Sequence, residues 1–181
     1  MSSIHFLLGK TLGKYQVFEH LGHGGMAEVY LGHQLNLERQ VAIKVLHPFL
    51  ADETGFVTRF QREARIVATM RHPNIVQVYD FDHNEEFDIY YMVMEYIQGP
   101  SLKARLENDD IDLEEAVFIA AAIADALDYA HRREMVHRDI KPGNIMFTDE
   151  GQPVLADFGI ARMLSLTGLT ASGAMVGTPA Y

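Results

Sequence analysis

Asp139 stands in the run His137-Arg138-Asp139-Ile140-Lys141-Pro142-Gly143-Asn144, and thirteen residues beyond Asn144 comes Asp157-Phe158-Gly159. One carboxylate is followed at fixed intervals by a carboxamide and a second carboxylate, hard oxygen groups of the kind that hold Mg²⁺. Lys141 adds a cation two residues after the first acid. In-line phosphoryl transfer needs a group that orients and deprotonates the acceptor hydroxyl, a metal bridging the phosphates, and cations to absorb developing charge. A lone Asp in a loop is usually a turn residue. Asp139, Lys141, Asn144 and Asp157 at these spacings supply each of those requirements instead.

Two upstream segments bear on the same chemistry. Leu21-Gly22-His23-Gly24-Gly25-Met26-Ala27-Glu28-Val29-Tyr30 places glycines between two predicted strands, where backbone amides can approach phosphate oxygens with no Cβ in the way. Taken alone, such a run is equally a flexible glycine hairpin. In Val41-Ala42-Ile43-Lys44-Val45 the alternation of a strand puts Val41, Ile43 and Val45 on one face and Ala42 with Lys44 on the other. Between Phe56 and Met70 the apolar residues Phe56, Phe60, Val67 and Met70 recur at helical intervals. Glu63 falls between Phe60 and Val67 at spacings of three and four, which sets a carboxylate on the apolar face. Unpaired burial of that charge is costly, so Lys44 is its expected partner; a solvated Glu on an Arg-rich helix is the alternative.

Glycine run, Val41-Ala42-Ile43-Lys44, the Asp139 loop and Asp157-Phe158-Gly159, in that order, resemble the signature set of protein kinases. The glycine run, with Ala27 where the pattern has a third glycine, is similar to the loop of bacterial Hanks-type Ser/Thr kinases. The resemblance extends from Tyr15 to Tyr181. It implies an α+β, protein-kinase-like bilobal fold, with a complete N-lobe (twisted antiparallel sheet plus one helix) and a partial, mostly helical C-lobe. It implies ATP and Mg²⁺ as cofactors and protein Ser/Thr hydroxyls as acceptors of the γ-phosphoryl group. Asp139 would be the base, Lys141 would approach the γ-phosphate and mark Ser/Thr specificity, and Asn144 with Asp157 would hold the metal. Lys44, paired with Glu63, would reach the α- and β-phosphates. Leu21, Gly22, Gly24, Val29, Ala42 and Met146 would enclose the nucleotide. Met94 is the implied gatekeeper, with the Glu95 carbonyl and the Ile97 amide on the adenine edge. Arg138 is the implied receiver of an activation-segment phosphate, with Thr170 first and Ser172 second as autophosphorylation sites at family-like intervals before Thr178. A dimer through the N-lobe is a further partner the resemblance admits.

β-Branched and aromatic runs predict strands at 15–21, 27–31, 41–45, 75–81 and 90–96, interrupted by the helix over 56–70 that Arg71-His72-Pro73-Asn74 ends. After Gln98-Gly99-Pro100 the character turns helical. Ser101 can cap a short helix, and 113–133 reads as a long one with Ala116, Ala120, Ile123, Leu127 and Ala130 on its buried stripe. The expected organisation is an N-terminal extension over 1–14, an N-lobe with the hinge at its end over 15–97, and a partial C-lobe over 98–181. No repeat or low-complexity segment interrupts it.

Composition is that of a folded globular chain, at 48% hydrophobic and 22% charged residues. A net charge of -10 excludes a nonspecific nucleic-acid binder, which needs a basic stripe. The absence of cysteine excludes a disulfide framework or thiolate metal site. Met1 to Leu8 lacks a signal peptide's basic flank and apolar core length. The apolar stretch Ala116 to Ala130 is broken by Asp125 and Asp128 and falls short of the ~20 residues of a membrane span. A cytoplasmic location is expected, with any membrane anchor beyond Tyr181. The family pattern continues past Tyr181 with a Pro-Glu element and further helices, so an incomplete large lobe, exposed apolar surface and weak activity of this chain are expected. The competing functions are a noncatalytic nucleotide-binding or interaction module, against which the intact Lys44, Asp139, Asn144 and Asp157 set speaks, and a small-molecule phosphotransferase, against which Lys141 and the hydroxyl-bearing segment ending in Gly177-Thr178 speak.

Overall fold

The computed structural model describes residues 7–24, 27–51, 55–108 and 111–158, and of residues 50, 51, 56, 59 and 63 only the backbone. The chain divides into two compact units, one of residues 1–64 with 78–96, the other of residues 65–77 with 97–181.

The first unit is a six-stranded antiparallel sheet in the order β1-β2-β3-β4-β6-β5, made by β1 (Thr11–Leu12), β2 (Tyr15–His23), β3 (Ala27–Gln34), β4 (Arg39–Leu46), β5 (Val78–Asn84) and β6 (Ile89–Glu95). Alternation decides what each strand buries. Val41, Ile43 and Val45 of β4 are fully buried in a cluster with Tyr15, Val17, Tyr30, Ile89, Tyr91 and Val93. Leu7 and Leu12 complete that cluster at 0% exposure, and Thr11–Leu12, within the stretch expected as an extension, pair with β2. Two leucines five residues apart carry no period from which a strand can be read. The short α1 (Pro48–Ala51) and the longer α2 (Phe56–Thr69) lie between β4 and β5. On α2 and just beyond it, Phe60, Val67 and Met70 of the predicted stripe are buried together with Ala64, while the side chain of the predicted Phe56 lies outside the described residues.

In the second unit, α3 (Leu102–Glu107) is capped by Ser101, whose Oγ accepts from the Ala104 amide at 3.2 Å, as the sequence predicts. Asp112 caps α4 (Leu113–His131) in the same way, accepting from the Glu115 amide at 2.8 Å. Arg105 ties the two helices, donating to both carboxylate oxygens of Glu115 at 2.5 and 2.9 Å while its guanidinium lies 4.7 Å from the centre of the Phe147 ring. The buried stripe of α4 is Ile119, Ile123, Ala126 and Ala130. This corrects the predicted stripe. Ala116 and Ala120 are exposed and Leu127 is only partly buried. Residues 116–124 are apolar around the whole helix, so periodicity cannot select a face there, and the larger Ile119 takes the inward position.

A two-stranded ribbon of β7 (Ile145–Phe147) and β8 (Pro153–Leu155) follows. The strand predicted over 75–81 is displaced to 78–84, because Ile75 and Val76 pair with Leu155 of β8 instead. An unbroken apolar run does not tell which neighbour its backbone will join. Gly99 and Pro100 lie against β7: the Phe147 amide donates to the Pro100 carbonyl at 3.0 Å, and a Cβ on Gly99 would stand 2.2 Å from the Phe147 carbonyl oxygen. That oxygen is backbone and cannot swing aside. Gly99→Ala is therefore expected to lower unfolding free energy by about 1–3 kcal/mol in urea titration. Gly143→Ala, whose new Cβ would meet nothing within 4 Å, should stay within about 0.5 kcal/mol of the parent.

Candidate active site

The first unit holds most of the residues predicted on the nucleotide side, while Ile97 and Met146 belong to the second. In the register of β3, β4 and β6, Val29 opposes Lys44, which opposes Met92, and Leu31 opposes Ala42, which opposes Met94. Opposed residues of antiparallel strands share a face. Val29, Leu31, Ala42, Lys44, Met92 and Met94 thus form one surface, on the reverse of the side that buries Val41, Ile43 and Val45. Lys44 is only 7% exposed there. Glu63 stands on α2 in the predicted register with Phe60 and Val67; its side chain, and hence the Lys44–Glu63 pair, lies outside the described residues. β6 ends at Glu95, and residues 96–99 leave the sheet toward Ile97 and Gly99.

Leu21 and Gly22 lie near the end of β2, with Gly22 opposite Val29. The Gly24 amide donates to the Ala27 carbonyl at 2.8 Å and closes the loop around Gly25 and Met26, which are outside the described residues. Neither glycine answers a packing demand. A Cβ on Gly22 would meet nothing within 4 Å and one on Gly24 only the Ala27 oxygen at 3.8 Å, and neither residue has a left-handed φ. Side-chain-free backbone beside open space fits a ligand whose phosphates approach the amides closely.

The second unit brings Asp139, Lys141 and Asn144 into direct contact. Lys141 Nζ lies 2.8 Å from Asp139 Oδ2. Asn144 Nδ2 donates to the Asp139 carbonyl at 2.8 Å and to Asp139 Oδ2 at 3.1 Å. Both partners are acceptors, so the amide nitrogen must face them and Asn144 Oδ1 is turned away, a hard oxygen suited to a divalent cation. Both of these contacts to the Asp139 carboxylate fall on Oδ2. A 3₁₀ turn over Pro142–Asn144 sets this geometry, with the Asn144 amide donating to the Lys141 carbonyl at 2.9 Å.

His137 ties this loop to the segment bearing Asp157. The Ala156 carbonyl, an acceptor, lies 2.7 Å from His137 Nε2, and the Asp139 amide, a donor, lies 3.3 Å from Nδ1. The ring is therefore neutral, protonated on Nε2. Burial pushes its pKa below the ordinary imidazole value, against the opposing pull of the Ala156 carbonyl, Asp157 and Asp139. Phe158 packs edge-on against the ring at 4.6 Å, and the Ala156 amide donates to the Asn144 carbonyl at 2.8 Å. Asp157 is carried beside Asn144 by these bonds, its backbone at φ 66°. Asn144 and Asp157 fit a magnesium ion by their donor chemistry. Among the described residues no three His or acidic side chains group as a metal site.

Arg138 is exposed at φ 69°, and Met146 is partly buried in β7, bridged to Ser101. Thr170, Ser172 and Thr178 lie outside the described residues. Asn74 is a positioning residue that the sequence does not mark beyond a helix stop. It is 8% exposed, its Nδ2 donates to the Pro153 carbonyl at 2.7 Å, and its carbonyl accepts from the Leu155 amide at 2.9 Å, which anchors β8 just ahead of Asp157. A polar side chain between Pro73 and Ile75 was the available signal.

This fold is built on the protein kinase plan. The protein kinase domain family matches residues 15–181, and the chain belongs to that family. It is 44% identical over 177 residues to the serine/threonine-protein kinase PrkC of Bacillus subtilis, covering 97% of this chain and 27% of that protein. It is 42% identical over 173 residues to the serine/threonine-protein kinase PknB of Mycolicibacterium smegmatis, covering 93% of this chain and 28% of that protein. The chain thus spans about a quarter of the length of these curated relatives. The crystal structure of the Mycobacterium tuberculosis PknI kinase domain matches with a TM-score of 0.74 at 35% identity, covering 84% of this chain and 62% of that one. The expected α+β protein-kinase fold is borne out.

The buried neutral His137 makes stability pH-dependent with a definite sign. As pH falls below about 6.5 the unfolded chain takes up a proton that the folded ring resists, so this contribution is present at higher pH and lost toward acid, at up to ~1.4 kcal/mol per pH unit. In urea unfolding at pH 7.5 and 5.5, the stability advantage of the parent over His137→Gln should shrink at the lower pH. An advantage unchanged between the two would contradict the assignment.

Proposed function

We propose that the chain carries the nucleotide-binding and catalytic machinery of an ATP- and Mg²⁺-dependent protein kinase acting on Ser and Thr hydroxyls. The observation that supports this best is the contact of Asp139 with Lys141 and Asn144, in one hydrogen-bonded network with the backbone next to Asp157. The names of the relatives, serine/threonine-protein kinases, support the acceptor class. Asp139 Oδ1 orients the acceptor hydroxyl and receives its proton, while Lys141 and Asn144 hold the carboxylate in one rotamer. Lys141 also neutralises charge on the transferring group. Asn144 and Asp157 hold Mg²⁺, which when bound draws charge from the phosphate oxygens. Lys44, with Glu63 as partner, would hold the α- and β-phosphates near the Gly22–Gly24 loop, and Val29, Ala42, Met94 and Glu95 would hold the base; Ile97 and Met146 are the remaining residues proposed for the base.

Residues 15–97 and 98–181 are the two lobes in this reading. Arg138 receives a phosphate on Thr170 or, second, Ser172, adding about two negative charges that pair with the guanidinium. Among the described residues no helix is long and apolar enough to cross a membrane.

Incubation with radiolabelled ATP, Mg²⁺ and a generic basic protein substrate tests the assignment. Asp139→Asn should lower phosphate incorporation by roughly 10²–10⁴-fold, the usual worth of a positioned general base. Equal incorporation by parent and variant would remove Asp139 from the chemistry, and nucleotide binding without any transfer would favour a noncatalytic module. Mass spectrometry after autophosphorylation should find phosphate first on Thr170; modification confined to other residues would exclude that site.

A further inference from the structure

The glycine loop is flanked by side chains that the chemistry so far does not use. On one limb, Tyr30 donates to Glu28 Oε2 at 2.8 Å and His20 Nε2 lies 3.2 Å from the same oxygen. The His20 ring stacks on His23 with centres 6.5 Å apart. These contacts stiffen β2 and β3 where they enter the loop. At the far end stands a different contact: His47 Nε2 lies 3.1 Å from the Gly24 carbonyl oxygen.

We infer that His47 is a positioning residue that ties the tip of the phosphate-binding loop to the strand carrying Lys44. The inference rests on the kinase reading above. His47 immediately follows β4 and stands three residues after Lys44, so its backbone is set by the same ladder that sets the lysine. Phe49 stacks on the imidazole at 5.7 Å and 18°, which holds the ring in plane. A carbonyl oxygen can only accept, so Nε2 carries a proton and donates.

Gly24 needs such a restraint. Without a Cβ and with open space around it, its backbone has wide conformational freedom, and a loop free to swing loses that freedom each time it closes on phosphate. The Gly24 amide is already closed onto Ala27, and the His47 bond fixes the other face of the next peptide unit. The two strands and the lysine then meet a nucleotide as one preorganised surface. The consequence falls on nucleotide affinity and not on the chemical step, because His47 touches no reacting atom.

The test compares the parent with His47→Leu, which keeps bulk and removes the donor, and His47→Gln, which keeps an N–H donor at similar reach. Affinity for the magnesium complex of a fluorescent ATP analogue should weaken about threefold to tenfold in His47→Leu, as expected for loss of one hydrogen bond, and stay within about twofold of the parent in His47→Gln. Where turnover is measured, KM for ATP should move by the same factor while kcat stays put. Amide exchange of the Gly22–Glu28 segment without nucleotide should accelerate in His47→Leu and not in His47→Gln. Lys44→Met separates the two levels of the claim. If it abolishes binding while His47→Leu leaves both affinity and exchange unchanged, the tether is wrong and the kinase reading stands. If the parent binds no nucleotide, the kinase reading falls, and the tether is decided by the exchange rates alone.

Discussion

A buried imidazole with both nitrogens committed holds the chemistry of the second unit together. His137 accepts from the Asp139 amide on one side and donates to the Ala156 carbonyl on the other, so a single ring fixes the residue proposed as base and the residue before the proposed metal ligand. A neutral ring at this place is a requirement of the pattern. The imidazolium would present a second N–H to the Asp139 amide, donor against donor, inside a site that burial already makes hostile to charge. Lys141 and Asn144 then act on a backbone that is already in position, converging on one oxygen of Asp139.

The first unit solves a different problem, how to bury an ammonium on the face of a sheet. The solution lies in the apolar face of β4. Val41, Ile43 and Val45 are fully buried, and each such side chain contributes about 1.5–3 kcal/mol on leaving water. A slip of one residue would exchange Ile43 for Lys44 in that core, so hydrophobic burial on one face fixes the register that delivers Lys44 and Ala42 to the other. The opposing strands complete the surface with Val29 and Leu31 on one side and Met92 and Met94 on the other. The charge is positioned by its apolar neighbours.

Legibility in the sequence follows the range of the interaction. Asp139, Lys141 and Asn144 are close in the chain and share one turn, so their spacing already encodes their contact, and the faces of β4 follow from alternation alone. The Ser101 cap is equally local. What stayed hidden was long-range or degenerate. Leu7 and Leu12 enter the core without a period, Ile75 and Val76 pair with Leu155 eighty residues away, and the alanine-rich α4 offers apolar residues on every face. Asn74 belongs with these, since its partners at Pro153 and Leu155 lie on a single strand of three residues that no pattern announces. Of His137 the sequence shows only its place two residues before Asp139; which nitrogen does what emerges from the acceptors and donors around it.

Backbone strain marks the same two segments. Arg138 and Asp157 are non-glycine residues held at φ 69° and 66°, a conformation that costs on the order of 1–2 kcal/mol each. Each is enclosed by contacts of one ring: the Asp139 amide bond to His137 spans Arg138, while Ala156 and Phe158, on either side of Asp157, both meet His137. The left-handed residue turns the chain sharply at each place, so that a side chain leaves the backbone in a direction an extended strand could not give it. Strain at Arg138 sets the departure of Asp139, and strain at Asp157 sets its own carboxylate. A loop lacking the His137 bonds would relax both turns, so the imidazole that keeps the segments together is also what sustains their strained geometry.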